Sequence, residues 1–259
     1  MKVSYIQYDV KHNRDENFSV LEKYLEQAGD GVVVLPELCT CGYLFRDKNE
    51  LMQSAEAVPG GFSTQKMTAL SKQYGCTLIF GVAEADGGEV YNTAVVVNQG
   101  KYLGKYRKIH LSDFEKRYFE SGTENPVFEI DGVTIGVQIC FDLWFPEVSR
   151  EQIRKGARLL CTLANFGGET THTISKVRAI ENLTPLVLCN RVGNEKLPEL
   201  DADFLGKSCI LDAAGNHVCQ AEAGIEAFDS CEIEIPERKS NVICKDFDAE
   251  IARHYEQEK

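Results

Sequence analysis

The segment GVQICFDLWFPE, residues 136–147, changes its pattern at Cys140. Before this residue, every second position from Val133 to Ile139 is apolar, which is typical of a strand with a buried face. After it, Pro146 suits the first turn of a helix. The pattern predicts a strand that hands over to a helix, with the cysteine at the connection. A thiol in that position can be a packed core side chain or a reacting group, and the pattern leaves both interpretations open.

Strands and amphipathic helices alternate along the rest of the chain. Asn13 and Glu16 form a capping-box pattern before a helix, and VVVL at 32–35 predicts a strand buried on both faces. The other predicted elements are strands VSYIQY, TLIFGVAE, YNTAVVVN, KYLGKY, RLLCTLA and PLVLCN, helices at 63–74 and near 171–183, and a hairpin around Ala213–Asn216. This order predicts sheets covered by helices in one α/β domain over residues 1–259. The polar stretch at about 237–259 predicts a solvated arm, unless it docks on a partner subunit.

Composition and charge narrow the classes of function. A net charge of -12 and a pI of about 5.0 argue against nucleic acid and anionic membrane surfaces as partners. No apolar run approaches the roughly 20 residues of a membrane span, and the opening MKVSYIQYDV lacks the pattern of a signal peptide. We therefore expect a cytoplasmic protein.

The ten cysteines are predicted to be reduced thiols, most of them in the core. Several lie in or beside apolar strand-like runs, where free cysteine behaves as a small buried hydrophobe: Cys76, Cys161, Cys189, Cys209 and Cys231. Cys39 and Cys41 are one residue apart, but no second pair with zinc-site spacing follows. We expect no metal site.

Three other polar residues share the context of Cys140 or lie close to it. Glu37 follows the apolar run VVVLP, Lys108 follows the strand KYLGKY, and Glu115 lies a few residues further on in SDFEKRYFESG. Strand ends in α/β folds gather at one edge, where sites are built. We therefore expect these four side chains to lie together.

The four side chains form a chemically coherent set. A thiol becomes a good nucleophile beside a base, and a glutamate in an apolar pocket has a pKa raised enough to serve as that base. An ammonium and the backbone N–H of Phe141 can stabilise an oxyanion. Two alternatives from other classes remain: a non-catalytic binding or scaffold protein, and a redox protein that pairs Cys140 with Cys39 or Cys41.

The ordered motifs resemble the nitrilase, or carbon-nitrogen hydrolase, superfamily over essentially the whole chain. PELCTCGY carries the glutamate of that family at Glu37, YRKIHL its lysine at Lys108, and GVQICFDLWFPE its nucleophile at Cys140. FEKRYFESG has the spacing of the family's auxiliary glutamate at Glu115. RAIENLTPLVLCNRVG and FLGKSCILDAAGN are similar to its downstream signatures.

The resemblance implies a four-layer αββα sandwich of two mixed sheets, paired through helices into a homodimer or a larger assembly. It also implies hydrolysis of a non-peptide C–N bond in a small amide without a cofactor. Cys140 would attack the amide carbon, Glu37 would transfer protons, and Lys108 with the Phe141 N–H would hold the oxyanion. Glu115 would orient the substrate amide or Lys108.

The substrate class is less determined. Family members that act on N-carbamoyl amino acids or dicarboxylate monoamides place an arginine just after the cysteine, where this chain has Leu143 and Trp144. This favours a neutral or cationic substrate, with Trp144, Tyr43, Asn165 and Phe166 as candidate binding residues. An N-carbamoyl amine or a nitrile remains an alternative. An ω-amido acid would require an arginine from elsewhere, such as Arg178 or Arg191.

Overall fold

Two six-stranded sheets form the centre of the computed structural model, which describes residues 1–237 and 239–256. The strands are β1 (Lys2–Gln7), β2 (Gly31–Val34), β3 (Cys76–Asp86), β4 (Glu89–Asn98), β5 (Lys101–Arg107), β6 (Val127–Ile130), β7 (Val133–Ile139), β8 (Leu159–Ala164), β9 (Leu186–Asn190), β10 (Val192–Leu197), β11 (Leu200–Leu205), β12 (Cys209–Leu211), β13 (His217–Gln220) and β14 (Ala227–Glu232). The α-helices are α1 (Arg14–Ala28), α2 (Lys48–Ser54), α3 (Phe62–Tyr74), α4 (Pro146–Arg154), α5 (Thr170–Asn182) and α6 (Phe247–Glu256). Two short 3-10 helices cover Glu115–Arg117 and Cys140–Trp144.

Each sheet has a parallel centre and antiparallel flanks. The first sheet has the order β14-β1-β2-β3-β4-β5, and the second has the order β13-β12-β9-β8-β7-β6. The pairs β1–β2, β2–β3, β7–β8 and β8–β9 are parallel, whereas the outer strands pair as hairpins or return antiparallel. The hairpin β10–β11 stands outside both sheets. The carboxyl ends of the parallel strands within each sheet consequently lie at a common edge.

The sheets pack face to face, with helices on their outer sides. In β2, Val32 and Val34 belong to the central core between the sheets, while Val33 and the following Leu35 pack on the other face with apolar residues of α1 and α3. The helices α4 and α5 cover the second sheet and contribute Ile153 and Ala179 to its core. The expected four-layer αββα sandwich of two mixed sheets is confirmed.

Local sequence signals account for where the helices begin. The side chain of Asn13 accepts hydrogen bonds from the backbone N–H groups of Asp15 (3.0 Å) and Glu16 (3.3 Å), so Asn13 caps α1. Pro146 is the first residue of α4, as its fixed φ favours. The predicted helices at 63–74 and near 171–183 are α3, which begins one residue earlier, and α5, which begins and ends one residue earlier.

The carboxyl-terminal arm is largely exposed over its described residues, as expected for a solvated arm, but it contacts the body at a few positions. Ile251 of α6 packs against the central core, and the Nζ of Lys239, only 5% exposed, donates to the carbonyl oxygen of Ala157 at 3.2 Å. Val242 and Ile243, which precede α6, are 93% and 90% exposed, so the arm contacts the body through only a few of its side chains. Residues 238 and 257–259 of the predicted arm lie outside the described residues. Among the described helices, none has the length and apolarity needed to cross a bilayer.

Candidate active site

The candidate site lies where strands of both sheets end. Glu37 follows β2 and Lys108 follows β5 in the first sheet, while Cys140 follows β7 and Asn165 follows β8 in the second. Glu115 opens the short 3-10 helix of the connection between β5 and β6. Packing the two sheets face to face brings residues together that are more than a hundred positions apart in the chain.

A buried ion cluster joins three of the predicted residues. The Nζ of Lys108 lies 2.7 Å from Oε1 of Glu37 and 2.6 Å from Oε1 of Glu115. The side chains of all three are at most 1% exposed. One ammonium therefore faces two carboxylates without water between them.

Asn92 of β4 is a fourth member that the sequence analysis missed. Its Nδ2 donates to Oε1 of Glu37 at 2.7 Å and to Oε1 of Glu115 at 3.3 Å, and the side chain is fully buried. The signal in the sequence was a carboxamide inside the strand YNTAVVVN, because a buried amide needs a hydrogen-bonding partner. We call Glu37, Lys108, Glu115 and Asn92 the carboxylate pair cluster.

One carboxylate oxygen of this cluster has no hydrogen-bond partner in the described structure. Oε2 of Glu115 accepts from the backbone N–H of Ser112 at 2.9 Å, and both Oε1 atoms are occupied as described. Oε2 of Glu37 is buried and has no partner within the described structure. Two further buried acceptors nearby, Oδ1 of Asn92 and Oδ1 of Asn165, are likewise unpaired there. Unpaired buried oxygens in a native site call for a ligand or for a reacting group.

Burial and neighbouring charges set opposite pKa shifts on the two glutamates. Burial, opposed by the attraction of Lys108 and reinforced by the charge of Glu115, raises the pKa of Glu37 to about 7. Burial acts in the same sense on Glu115, but Lys108 and the N–H of Ser112 outweigh it and lower its pKa. The two carboxylates outweigh the burial of Lys108 and hold the pKa of its ammonium well above the ordinary value. The cluster therefore has one permanent ion pair and one carboxyl able to exchange protons near neutrality.

Cys140 occupies a strained turn. Its φ of +45° lies in the left-handed region that non-glycine residues rarely adopt. Its Sγ lies 3.9 Å from the carbonyl oxygen of Asn165. Burial, together with the charge of Glu37, raises the pKa of this thiol well above its usual value. At rest the thiol is protonated, so an attack by sulfur requires a base that accepts its proton.

Asp142, which the sequence analysis did not single out, holds this turn. Its Oδ2 accepts from the Tyr106 hydroxyl at 2.7 Å and from the N–H of Ile139 at 3.2 Å, and its Oδ1 accepts from the N–H of His110 at 2.8 Å. His110 in turn stacks on Phe145 with ring centroids 3.7 Å apart. A fully buried aspartate thus ties the turn to the segment that carries Lys108.

The loop of Glu37 is held from two sides. Nδ2 of Asn165 donates to the backbone oxygen of Glu37 at 3.0 Å. Further along the loop, Glu195 of β10 accepts from the N–H groups of Tyr43 (3.0 Å) and Leu44 (2.6 Å). Glu195 also carries an ion pair with Arg191.

The predicted substrate-binding residues differ in how deeply they are buried and in what they contact. Tyr43 lies close enough to the cluster that burial and the charge of Glu115 raise the pKa of its hydroxyl well above the usual value. Phe166 is half-buried with its ring 5.0 Å from that of His172. Trp144 is 46% exposed, and its indole N–H points at the Thr171 hydroxyl, 3.4 Å away.

Arg178 and Arg191 are both engaged away from a substrate. Arg178 donates to the carbonyl oxygen of Leu143 at 2.8 Å and pairs with Glu181 at 2.7 Å. Arg191 is fully buried, where it pairs with Glu195 and donates to the carbonyl oxygen of Val10. Neither guanidinium is free to neutralise a substrate carboxylate.

The remaining cysteines are held in separate places. All ten are free thiols; Cys76, Cys161, Cys189 and Cys209 are buried, and Cys231 is half-buried. Cys39 and Cys41 pack in apolar clusters other than that of Cys140. In residues 1–237 and 239–256, no three His, Cys, Asp or Glu side chains are grouped so as to hold a metal ion.

Comparison with known proteins adds independent findings. The family model described as carbon-nitrogen hydrolase matches residues 2–234. The chain is 35% identical over 240 residues to a nitrilase of Pyrococcus abyssi, covering 91% of this chain and 90% of that protein. It is 34% identical over 235 residues to a 2-oxoglutaramate amidase of Bacillus subtilis, covering 86% of each. The crystal structure of a carbon-nitrogen hydrolase from Helicobacter pylori has the same fold, with a TM-score of 0.83 at 24% identity over 99% of this chain and 93% of that one.

Proposed function

This chain belongs to the carbon-nitrogen hydrolase family, and we propose that it hydrolyses a small, neutral, linear carboxamide to a carboxylic acid and ammonia through a thioester on Cys140. The catalytic residues of this proposal are Cys140, Glu37 and Lys108, with Glu115 in support. No cofactor takes part in it.

The observation that carries the proposal is the free oxygen of Glu37. Every other carboxylate oxygen of the carboxylate pair cluster has a hydrogen-bond donor, whereas Oε2 of Glu37 is buried and unpaired in the described structure. Glu37 also interacts electrostatically with the Cys140 thiol, and its pKa of about 7 suits both taking and returning a proton. A protonated thiol beside a carboxylate of that pKa is the arrangement that nucleophilic catalysis requires.

The proposed reaction proceeds in two halves. Glu37 takes the thiol proton of Cys140 as sulfur bonds to the amide carbon, and the oxyanion is held by Nζ of Lys108 and the backbone N–H of Phe141. Glu37 then protonates the amide nitrogen, the C–N bond breaks and ammonia leaves a thioester. In the second half, Glu37 takes a proton from water and hydroxide adds to the thioester carbon. The C–S bond then breaks, and Glu37 returns the proton to the departing sulfur, which gives the acid, the free thiol and the ionised Glu37.

A neutral substrate is supported by the arrangement of the arginines. Leu143 and Trp144 occupy the positions after the nucleophile, and Arg178 and Arg191 are engaged by Glu181 and Glu195. An unpaired carboxylate in this site would cost several kcal/mol. These contacts favour a neutral amide over an ω-amido acid.

An N-carbamoyl amine is a second candidate substrate. Three buried unpaired oxygens, on Glu37, Asn92 and Asn165, surround the site and can accept hydrogen bonds. A terminal ureido group offers one N–H more than a primary amide, and a nitrile offers none. The accepting character of the site therefore favours amides and ureido compounds over nitriles.

Ammonia release tests the proposal. We expect release from butyramide by the wild-type protein and none by Cys140→Ala, together with formation of the hydroxamate when hydroxylamine is added to intercept the thioester. Ammonia release by Cys140→Ala at the wild-type rate would refute the nucleophile. Absence of release from all amides, ureido compounds and nitriles would instead favour a binding or scaffold role.

We also propose that the protein works as a homodimer paired through its helices. Val177 and Ile180 of α5 are 44% and 50% exposed, and they lie on the outside of the second sheet's helical layer. Apolar side chains in such a position favour burial against a second copy. Analytical ultracentrifugation should show a dimer that dissociates in Val177→Lys/Ile180→Lys, and a wild-type monomer would exclude it.

A further inference from the structure

We propose that Asn92 is a positioning residue that fixes which oxygen of Glu37 faces the thiol and keeps Glu37 ionisable beside Glu115. This inference rests on the proposed function and adds to it a residue that does not itself touch the reacting atoms. It is carried by the geometry of the hydrogen bonds around the buried amide.

The amide and the ammonium bind the same pair of oxygens. Oε1 of Glu37 receives Lys108 Nζ at 2.7 Å and Asn92 Nδ2 at 2.7 Å, and Oε1 of Glu115 receives the same two donors at 2.6 and 3.3 Å. The four groups form a closed ring in which two donors alternate with two acceptors. The orientation of the amide is fixed chemically, because a flipped Asn92 would place its own oxygen against two carboxylate oxygens.

Closing this ring has a consequence for the carboxylate of Glu37. With Oε1 held by two donors, the rotation of the carboxylate is restricted and Oε2 is the oxygen left without a partner. Proton transfer requires the accepting oxygen to be held within hydrogen-bond reach of the donor. Asn92 therefore contributes to the direction of the base as well as to its charge.

The ring also lowers the cost of placing two carboxylates together. One ammonium between two buried carboxylates leaves a net negative charge, and the Nδ2 dipole of Asn92 is directed at both. The charged or titratable groups that face Glu37 are Lys108, Glu115 and Cys140, with Tyr43 at the edge of the cluster. Removal of the Asn92 donor leaves the repulsion between the glutamates less compensated, so the ionised form of Glu37 becomes less favourable.

The strand supplies a matched control. Thr93 is the next residue of β4, is also fully buried, and also donates to a buried carboxylate, with its Oγ1 2.7 Å from Oε2 of Glu84. Glu84 belongs to a different cluster, which contains Lys105 and Arg107. Thr93→Val thus removes an equivalent hydrogen bond from the same strand without touching the carboxylate pair cluster.

The test is the pH profile of kcat/KM for butyramide in Asn92→Ala, Asn92→Asp and Thr93→Val. Both Asn92 variants are expected to lower kcat about tenfold or more with little change in KM, and to move the acid limb to higher pH by at least half a unit. Thr93→Val should lose stability while its acid limb stays at the wild-type pH. Asn92→Asp keeps the size of the side chain, so it provides the measurement if Asn92→Ala does not fold.

Two outcomes would overturn the inference. One is an acid limb and a kcat in both Asn92 variants equal to those of the wild type per folded molecule. The other is an equal displacement of the acid limb in Thr93→Val, which would make the effect one of general packing. Cys140→Ala separates this failure from that of the proposed function: if it is inactive while the Asn92 variants are normal, only the role of Asn92 is refuted.

Discussion

Two buried carboxylate clusters contact the segment that runs from Glu37 to Leu44, and the pKa values of Glu37 and Glu195 differ by several units. In the carboxylate pair cluster, Glu37 shares one ammonium with Glu115, and burial raises its pKa to about 7. In the second, which we call the Glu195 cluster, Glu195 contacts His12, Arg191 and the N–H groups of Tyr43 and Leu44, and Arg191 also lies 3.5 Å from Oδ1 of Asp9.

The two glutamates differ in the number of hydrogen-bond donors and cations that stabilise the charged form. Burial also disfavours the charge of Glu195, but hydrogen bonds from His12 and the N–H of Leu44 and the pairing with Arg191 outweigh it and lower its pKa to about 2. Glu195 has donors on both oxygens, while Glu37 keeps one oxygen unpaired in the described structure. A buried carboxylate with donors on both oxygens keeps a low pKa and can hold a loop in place. A buried carboxylate with an unpaired oxygen has a raised pKa and can exchange a proton near neutrality.

The largest effect on activity is expected from a substitution of Glu37, which removes the carboxyl of raised pKa from the comparison. Glu37→Gln should lower kcat for amide hydrolysis by about 10³-fold, because the amide cannot accept the thiol proton. It should not lower the free energy of unfolding at pH 7, since a carboxyl whose pKa is raised from 4.5 to about 7 is less stable as an anion in the fold than in the unfolded chain. Steady-state kinetics and urea unfolding measure the two effects. An active variant would remove Glu37 from the mechanism.

The pH dependence of the wild type follows from the same shift. Glu37 acts as a base only when ionised, so kcat/KM should rise with pH as pH passes through about 7. A profile that is flat from pH 5 to 8 would contradict this assignment.

The converse effect is expected at Glu195. Its pKa falls from 4.5 to about 2 in the folded protein, which corresponds to about 3 kcal/mol of stability. Because the folded pKa is depressed, this contribution is present above pH 4.5 and is lost as pH falls toward about 2. Urea unfolding at pH 7 should therefore show Glu195→Gln to be less stable by roughly that amount, with the gap narrowing at pH 3. An equal gap at both pH values would show that the ion pair is not its cause.

Substitutions of the two buried cations, Lys108 and Arg191, test whether the two clusters differ in function. Lys108→Gln should lower kcat about 10²-fold or more, because the oxyanion loses its charged donor, while the protein stays folded as the two glutamates share a proton. Arg191→Gln is the matched change in the Glu195 cluster and should lower stability with a smaller effect on kcat. Circular dichroism and kinetics on both variants measure this. A Lys108 variant within a few-fold of wild type would mean that the lysine only neutralises charge.

The smallest effect concerns substrate choice. Because Glu195 holds Arg191 and Glu181 holds Arg178, butyramide should exceed succinamate in kcat/KM by at least about tenfold, or about 1.4 kcal/mol. The net charge of -12 adds a weak bias in the same direction that salt screens. A clear preference for succinamate would show that an arginine reaches the substrate and would favour an ω-amidase.

The sequence predicted much of the fold because local patterns decide it. Alternation at Val133–Ile139, the continuous run at 32–35 and the cap at Asn13 each depend on a few neighbouring residues. The helix α2 and the hairpin β10–β11 carry weaker patterns and were missed. The contact of the arm with the body was not predicted, because Ile251 finds its apolar partners only once the body has folded.

In the candidate site too, some features follow from the sequence and others only from the tertiary structure. The sequence by itself determined the family and the kinds of group available: a thiol, two carboxylates and an ammonium close to strand ends. The tertiary structure decided that Asn92 closes the ring, that Asp142 holds the turn and that Arg191 belongs to Glu195. These outcomes depend on distances between segments far apart in the chain, and a pKa depends on burial and neighbours rather than on residue type. A glutamate in the sequence is thus a carboxyl of undetermined pKa, and packing raises the pKa of Glu37 while it lowers that of Glu195.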